Sequence, residues 1–366
     1  MTSIRQQTPV SNGKTSKESS TDKPPNYKRL SDDDLFRHSS QYRFWSFTPE
    51  QLEQKRIRVN AQAVQSIEED LRNFVADNKT DLNEEEIKTI EMKAVPVTAE
   101  EELKLINLYA KKVQMIAQRL NLPTEIVATS ITFFRRFYLE NSVHKFEPKA
   151  IVLTTIFLAC KSDNYFIGID SFCEKTRGSK EQILKYEFPL LESLKFSLFN
   201  HHPYRPLHGF FLDIQAVLHG KVDLNYMGHI YDRCKKRITE ALLTDAVYFY
   251  SPPQITLSVL MIEDEALTTR YLELKFHGNN PDSSADAEET ISQDNSVNIS
   301  LEKLVTLIRD CKRIIEESPS TSVDEAKSIA ARLYFCQNPK DLLKKLKKRK
   351  HDEEDSSGAE KKPRVE

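Results

Sequence analysis

Residues 150–161 read AIVLTTIFLACK, an uncharged run that ends in Lys161. Pro148 stands just before it, at a first-turn position where the missing N–H of proline costs a helix nothing. A helix that is apolar all round has no face to give to water, so it belongs at the centre of a bundle. The run is much shorter than the roughly 20 residues needed to cross a bilayer. It predicts a core helix.

Working outward, the flanking segments are amphipathic. Thr98 with Glu101 forms a capping-box signature, and Leu103, Ile106, Ala110, Val113, Ala117 and Leu120 follow at helical spacing. Pro123 opens a further helix with Ile126, Val127, Ser130, Phe133, Phe134 and Phe137 on its apolar face. Downstream, a short helix is expected near 170–176. Ser179 and Gln182 then cap a fifth, SKEQILKYEFPLLESLKFSL (179–198). Its Ile183, Leu184, Leu190, Leu191 and Leu194 are expected on one face, with Glu187 at the centre. An acid in an apolar stripe is either paired within the fold or faces another protein, because carboxylates are rarely buried alone. Five helices in about a hundred residues make one compact all-α domain.

The same grammar recurs. Pro206 leads Leu207, Phe210, Phe211, Ile214 and Val217, a longer helix is expected from Ile230 to Tyr250, and Pro252–Pro253 lead ITLSVLMI as Pro148 leads AIVLTTIF. A spacing of roughly a hundred residues between the two leading prolines suggests a tandem duplication of one helical unit. Before the first unit, Thr48, Pro49 and Gln51 mark a helix start with Phe47 and Leu52 as a hydrophobic staple. The thin apolar line Val59, Ala63, Ile67, Leu71 places that helix on a surface. The expected organisation is a disordered tail (1–38), an N-terminal helix and connector (39–97), a first unit (98–199) and a second unit (200–298) with a polar insertion (277–298). C-terminal helices (299–350), led by Leu301, Leu304, Val305, Ile308, Cys311 and Ile315, and a disordered charged tail (351–366) complete it.

Composition excludes several classes. The 53 Lys and Arg nearly balance the 55 Asp and Glu, so no overall basic field draws the chain to nucleic acid or membrane. Eight glycines are too few for the turn punctuation of an all-β protein. Five scattered cysteines without a CxxC pair read as reduced core thiols, and with no signal-like N-terminal stretch the expectation is an intracellular chain in which the sequons at Asn78 and Asn298 carry no weight. GKT at Gly13–Thr15 lacks the upstream glycine and strand of a phosphate loop, and the adjacent His201 and His202 point apart with no ligand at metal spacing. No glycine-rich kinase loop or HRD segment is present. The sequence implies no catalysis, no metal and no cofactor of its own.

FFRRFYLENSV (133–143), FLACK (157–161), EQILKYEFPLLESLKFSL (181–198), HHPYRP (201–206) and LTDAVYFYSPPQI (243–255) occur in an order that resembles the cyclins, most closely the cyclin H family of fungal type. FWSFTPEQL before the first unit and the basic-then-acidic tail support the same resemblance. It implies two tandem five-helix cyclin boxes with additional helices packed beside the first and second boxes. It also implies a regulatory subunit that activates a cyclin-dependent kinase in the kinase module of general transcription factor IIH and supports phosphorylation of the RNA polymerase II C-terminal domain. The implied partners are the kinase catalytic subunit, a RING-type assembly subunit and the core of the transcription factor, without membrane or sequence-specific nucleic-acid binding.

In that family a lysine ending the third box helix and a glutamate in the fifth hold the kinase's C-helix, and Lys161 and Glu187 occupy those positions. Phe157, Leu191, Phe196 and Leu198 are expected as the apolar part of the same face. Many cell-cycle cyclins carry Asp–Arg where this chain reads Arg135–Arg136, so the salt bridge anchored by that Asp is not expected in the same form. The substrate-docking patch of those cyclins has no recognisable counterpart in LKLINLY (103–109). Another transcriptional cyclin of the cyclin C type, and a DNA-binding tandem cyclin fold like transcription factor IIB, are alternatives. PYRPLHGFFLDI disfavours the former, and the lack of a zinc ribbon the latter. The run Lys344, Lys345, Lys347, Lys348, Arg349, Lys350, with KKPR beyond it, has the charge density of a nuclear localisation signal.

Overall fold

The computed structural model describes residues 35–79, 82–277, 287–318 and 322–344, and among these every regular element is a helix. Three helices come first: α1 (Ser40–Trp45), α2 (Pro49–Asp77) and α3 (Glu84–Lys93). The first box follows as α4 (Ala99–Arg119), α5 (Thr124–Glu140), α6 (Pro148–Ser162), α7 (Ile169–Thr176), α8 (Lys180–Lys185) and α9 (Glu187–Ser193). The second box comprises α10 (Tyr204–Val217), α11 (Leu224–Ala241), α12 (Ala246–Phe249), α13 (Pro252–Glu263), α14 (Glu265–His277) and α15 (Ala287–Glu316), and α16 (Val323–Gln337) ends the ordered sequence of elements. The tail segments 1–34 and 351–366, residues 278–286 of the polar insertion and the basic residues Lys345, Lys347, Lys348, Arg349 and Lys350 lie outside the described residues.

α6 and α13 are the two central helices. Ile151, Ile156, Ala159 and Cys160 on α6, and Val259, Leu260 and Met261 on α13, are fully buried. Both are entered through proline at the first turn. Around α6, Phe133, Phe134 and Phe137 of α5 are also fully buried, and each stabilises the fold by roughly 1.5–3 kcal/mol through the area it removes from water. The capping boxes at Thr48/Gln51 and Thr98/Glu101 form as their spacing predicts. A third, Asn83/Glu86, opens α3 inside the segment expected as a connector.

Four expectations need correction. The fifth helix of the first box is broken at Tyr186 into α8 and α9, because Pro189 has no N–H for the Lys185 carbonyl and its ring crowds that turn. The break moves Leu184 out to solvent and makes Glu187 the first residue of α9 instead of the centre of a stripe. α15 packs on α13 and α14 and is the fifth helix of the second box, so that box continues to Glu316; its backbone is helical from Ala287, inside the segment expected as a polar insertion. The single long helix expected from Ile230 to Tyr250 stops at Ala241, and α12 is separate. Finally, α16 packs beside the first box, on α4 and α2.

That placement of α16 joins the two ends of the chain. Ile67 of α2, Ile90 of α3 and Ala94 share a small core with Cys336, Leu342 and Leu343. Lys104 pairs with Glu325 at 2.7 Å and Arg332 pairs with Glu101, while Gln337 Nε2 donates to the carbonyl of His144 at 2.7 Å. α2 is less superficial than its thin apolar line suggested. Leu52 is buried with Trp45, Leu139 and Tyr248, and Asn60 Nδ2 donates to the buried Glu102 at 2.8 Å.

Candidate functional site

Lys161 sits on the last turn of α6 and Glu187 on the first of α9, and the break at Tyr186 is what brings the two ends together. Lys161 Nζ pairs with Glu187 Oε1. The lysine side chain is 46% exposed and the glutamate 18%, so the pair lies at the surface with the acid the deeper member. Lys161 Nζ also stands 5.0 Å from the centroid of the Phe157 ring. Phe157 itself is buried and tilts against Phe172 at 5.3 Å between centroids. It therefore supports the lysine from beneath and offers no contact surface, contrary to its expected place in the apolar face.

The apolar surface beside the pair comes from other rings. Phe196 is 62% exposed and meets Phe188, 64% exposed, edge to face at 6.2 Å. Leu191 and Leu198 are half-buried against the core and form the floor. Phe188 was missed from sequence because an unbroken helix would have aimed it away from the stripe; Pro189 was the available signal. Phe199 and Phe166 are exposed on the same unit and were likewise missed.

What turns Phe196 outward is local backbone geometry. Lys195 and Phe196 both have left-handed φ, 54° and 53°, which non-glycine residues adopt only at a cost of order 1 kcal/mol each. The turn is fixed by Phe196 N–H donating to the Leu191 carbonyl at 3.0 Å and Ser197 N–H to Leu194 at 2.9 Å. Lys195 is held in addition by Glu140, 3.3 Å away, which also takes Lys55 of α2 at 2.9 Å. The N-terminal helix is thereby tied to the turn that presents Phe196.

The junction of the two boxes is built around Arg135. Its Nη2 reaches Asp245 Oδ1 at 2.7 Å, and Nη1 donates to Asn107 Oδ1 at 3.0 Å and to the Leu243 carbonyl. Arg56 of α2 grips the same Asp245 with both nitrogens, at 2.7 Å each. Burial works to raise the Asp245 carboxyl, but the hydrogen bonds and charges of Arg56 and Arg135 outweigh it and hold the group below its ordinary value. The bracing absent from the Arg135–Arg136 dipeptide is thus supplied in reverse polarity, with the acid coming from the second box. His202, near this junction, is held at about 3 by burial first and then by the charges of Arg136 and Arg205, so it is neutral at physiological pH.

Among the described residues no cluster of His, Cys, Asp and Glu could hold a metal ion, and no helix is long and apolar enough to cross a membrane. What the Lys161–Glu187 face can do chemically is bind. A carboxylate accepts backbone N–H groups, an ammonium donates to carbonyls, and exposed rings beside them exclude water from both.

Comparison with known proteins bears on most of the chain. The cyclin N-terminal domain matches residues 80–199 and the cyclin C-terminal domain residues 202–316. This chain is 58% identical to Cyclin CCL1 of Saccharomyces cerevisiae over 365 residues, covering 94% of this chain and 91% of that one. It is 32% identical to Cyclin mcs2 of Schizosaccharomyces pombe over 311 residues, covering 84% and 86%. Among solved structures, a chain of the yeast TFIIK (Kin28/Ccl1/Tfb3) complex is 58% identical with a TM-score of 0.58, covering 76% of this chain and 99% of that one. A chain of the CAK complex from Chaetomium thermophilum bound to ATP-gamma-S is 25% identical with a TM-score of 0.69, covering 92% and 100%.

Proposed function

The chain belongs to the cyclin H family, and from that premise we propose that it is the non-catalytic regulatory subunit of a transcription factor IIH kinase module, where it binds and activates a cyclin-dependent kinase. The observation that carries this is the 58% identity to a chain of the yeast TFIIK complex, nearly the whole of which is covered. Its partners are the kinase catalytic subunit, a RING-type assembly subunit and, through them, the core of the transcription factor. Its place of action is the nucleus, and the basic run beginning at Lys344 serves its import.

The Lys161–Glu187 face supports a mechanism in which the cyclin does no chemistry. Glu187 accepts backbone N–H groups near the start of the kinase's C-helix, Lys161 donates to carbonyls on its approach, and Phe188 and Phe196 cover the contact. Held inward, that helix places its glutamate against the lysine of the third kinase strand, an ion pair that must exist before phosphoryl transfer is fast. Binding shifts the kinase population toward that arrangement.

The test is reconstitution. The purified chain is mixed with the kinase catalytic subunit of its own module, and phosphate transfer to a peptide of RNA polymerase II C-terminal repeats is measured. Activation that saturates with the chain is expected. A kinase whose rate is unchanged by a stoichiometric, co-purifying chain would sink the proposal.

A further inference from the structure

Three guanidinium groups, Arg56, Arg135 and Arg136, converge where the two boxes meet. Among the described residues one carboxylate, Asp245, serves the junction, and Arg56 and Arg135 share it. Arg136 is 4% exposed and has no carboxylate. Its hydrogen-bond acceptor is the neutral Oδ1 of Asn200 at 2.6 Å, and its guanidinium carbon stands 5.1 Å from the Trp45 ring. Lys195 Nζ lies 5.2 Å from the same ring and is itself paired with Glu140 at 3.3 Å, so this side of the ring supplies no counter-charge to Arg136. Burial lowers Arg136 to about 9, which leaves it charged at neutral pH. An amide and a ring face offset only part of what burying a cation costs.

Arg136 lines a cavity of about 30 Å³ together with Arg135, Gln41, Thr132, Asn200 and His202. Arg135 Nε is buried without a hydrogen-bond partner. His202 adds no charge, and its Nε2 is already engaged by Thr129 Oγ1 at 2.9 Å. The cavity exceeds the roughly 10–15 Å³ that one water-sized sphere requires, and it is too small for a metabolite phosphate or carboxylate with its attached groups.

We propose that this cavity binds a small monatomic inorganic anion of the halide class, paired with Arg136 and donated to by Arg135 Nε. A water molecule there satisfies hydrogen bonds but leaves the charge unbalanced; a halide does both and is only slightly larger. The ion gives Arg136 its counter-charge where α5 of the first box, the linker carrying Asn200 and the start of the second box meet, and so fixes their relation.

Two measurements on the full chain test this. Thermal unfolding is followed in sodium chloride and in sodium gluconate at equal ionic strength, and Tm is expected to rise saturably with chloride by about 2–4 °C. Crystals grown in sodium bromide are expected to show an anomalous peak within hydrogen-bond reach of Arg136. Asn200→Asp sets a carboxylate in place of the neutral amide beside Arg136 and should fold, lose the chloride dependence and lose the bromide peak. Water density without anomalous signal overturns the proposal, as does a chloride dependence that survives in Asn200→Asp. A bromide peak with no effect of chloride on Tm means an adventitious ion only, and overturns it equally.

Discussion

Arg135 of the first box and Asp245 of the second are joined at 2.7 Å, and the same carboxylate holds Arg56 of the N-terminal helix. One acid therefore ties three parts of the chain together. Arg135 is almost fully buried while Asp245 keeps a quarter or so of its surface, so the cost of removing the acid is expected below the 3–5 kcal/mol of a fully buried pair. Asp245→Asn should destabilise the protein by about 2–3 kcal/mol in urea titrations. The Asp245 carboxyl is lowered in the folded state, so its contribution is present above the unfolded value near pH 4 and lost as pH falls through the folded one. The mutational cost should accordingly shrink in melts taken below about pH 4. A variant as stable as the parent at pH 7 would show that Arg56 and Arg135 find other partners.

Two buried histidines give a second pH dependence at higher pH. Burial holds His144 at about 4 and His202 at about 3, both below the ordinary value. Their lowered values mean that the unfolded chain takes up protons the native one refuses, so stability is full above about pH 6.5 and falls as pH drops toward 4. Each histidine contributes a slope of up to about 1.4 kcal/mol per pH unit in that window. His144 accepts from the Val97 N–H at 3.1 Å, a role glutamine can fill with its carbonyl. His144→Gln should fold and lose part of the slope between pH 6.5 and 4 in urea titrations; an unchanged slope would show that His144 protonates freely in the native state.

Much of this architecture was legible in sequence because it rests on local rules. Capping boxes at Thr48 and Thr98, first-turn prolines at 148 and 252 and the uncharged α6 all mean in the fold what they mean in the string. The candidate site was half legible. Lys161 and Glu187 were singled out and are brought together, but the kink that joins them depends on Pro189 acting on the carbonyl four residues back, which a search for apolar periodicity does not register. Phe157 was misplaced for a related reason: on a helix apolar all round, periodicity cannot say which residue faces out. Asp245 as the partner of Arg135 is a contact across 110 residues, and α16 crossing to the first box is longer still; nothing local encodes either.

The packing of Leu342 and Leu343 sets the boundary for a truncation of the basic tail. Both leucines are buried beside Ile90 and Ala94, whereas Lys344 is exposed and pairs with Asp341 at 3.4 Å. A chain ending at Lys344 should keep the melting temperature and kinase activation of the full protein and lose nuclear accumulation of a fluorescent fusion. A chain ending at Asp341 should melt earlier as well, since deleting two buried leucines costs about 2 kcal/mol or more. Normal nuclear accumulation of the chain ending at Lys344 would remove the tail from import.

The Lys161–Glu187 pair allows binding to be separated from folding. Because the lysine is 46% exposed and the glutamate 18%, solvent screens the pair, and Lys161→Ala or Glu187→Ala should change the stability of the free protein by less than about 1 kcal/mol. Kinase affinity should fall by about 1–3 kcal/mol for Glu187→Ala, the scale of charge-assisted hydrogen bonds lost at an interface. Phe188→Ala, at a ring standing free beside Phe196, should weaken binding by at least about 1 kcal/mol with little effect on melting. The sharpest variant is the swap, Lys161→Glu with Glu187→Lys. It preserves an ion pair between α6 and α9 while presenting the kinase with a base where its helix N–H groups require an acid. The swapped chain should melt like the parent and neither bind nor activate the kinase; a swap that binds normally would mean that the pair serves only to join α6 to α9.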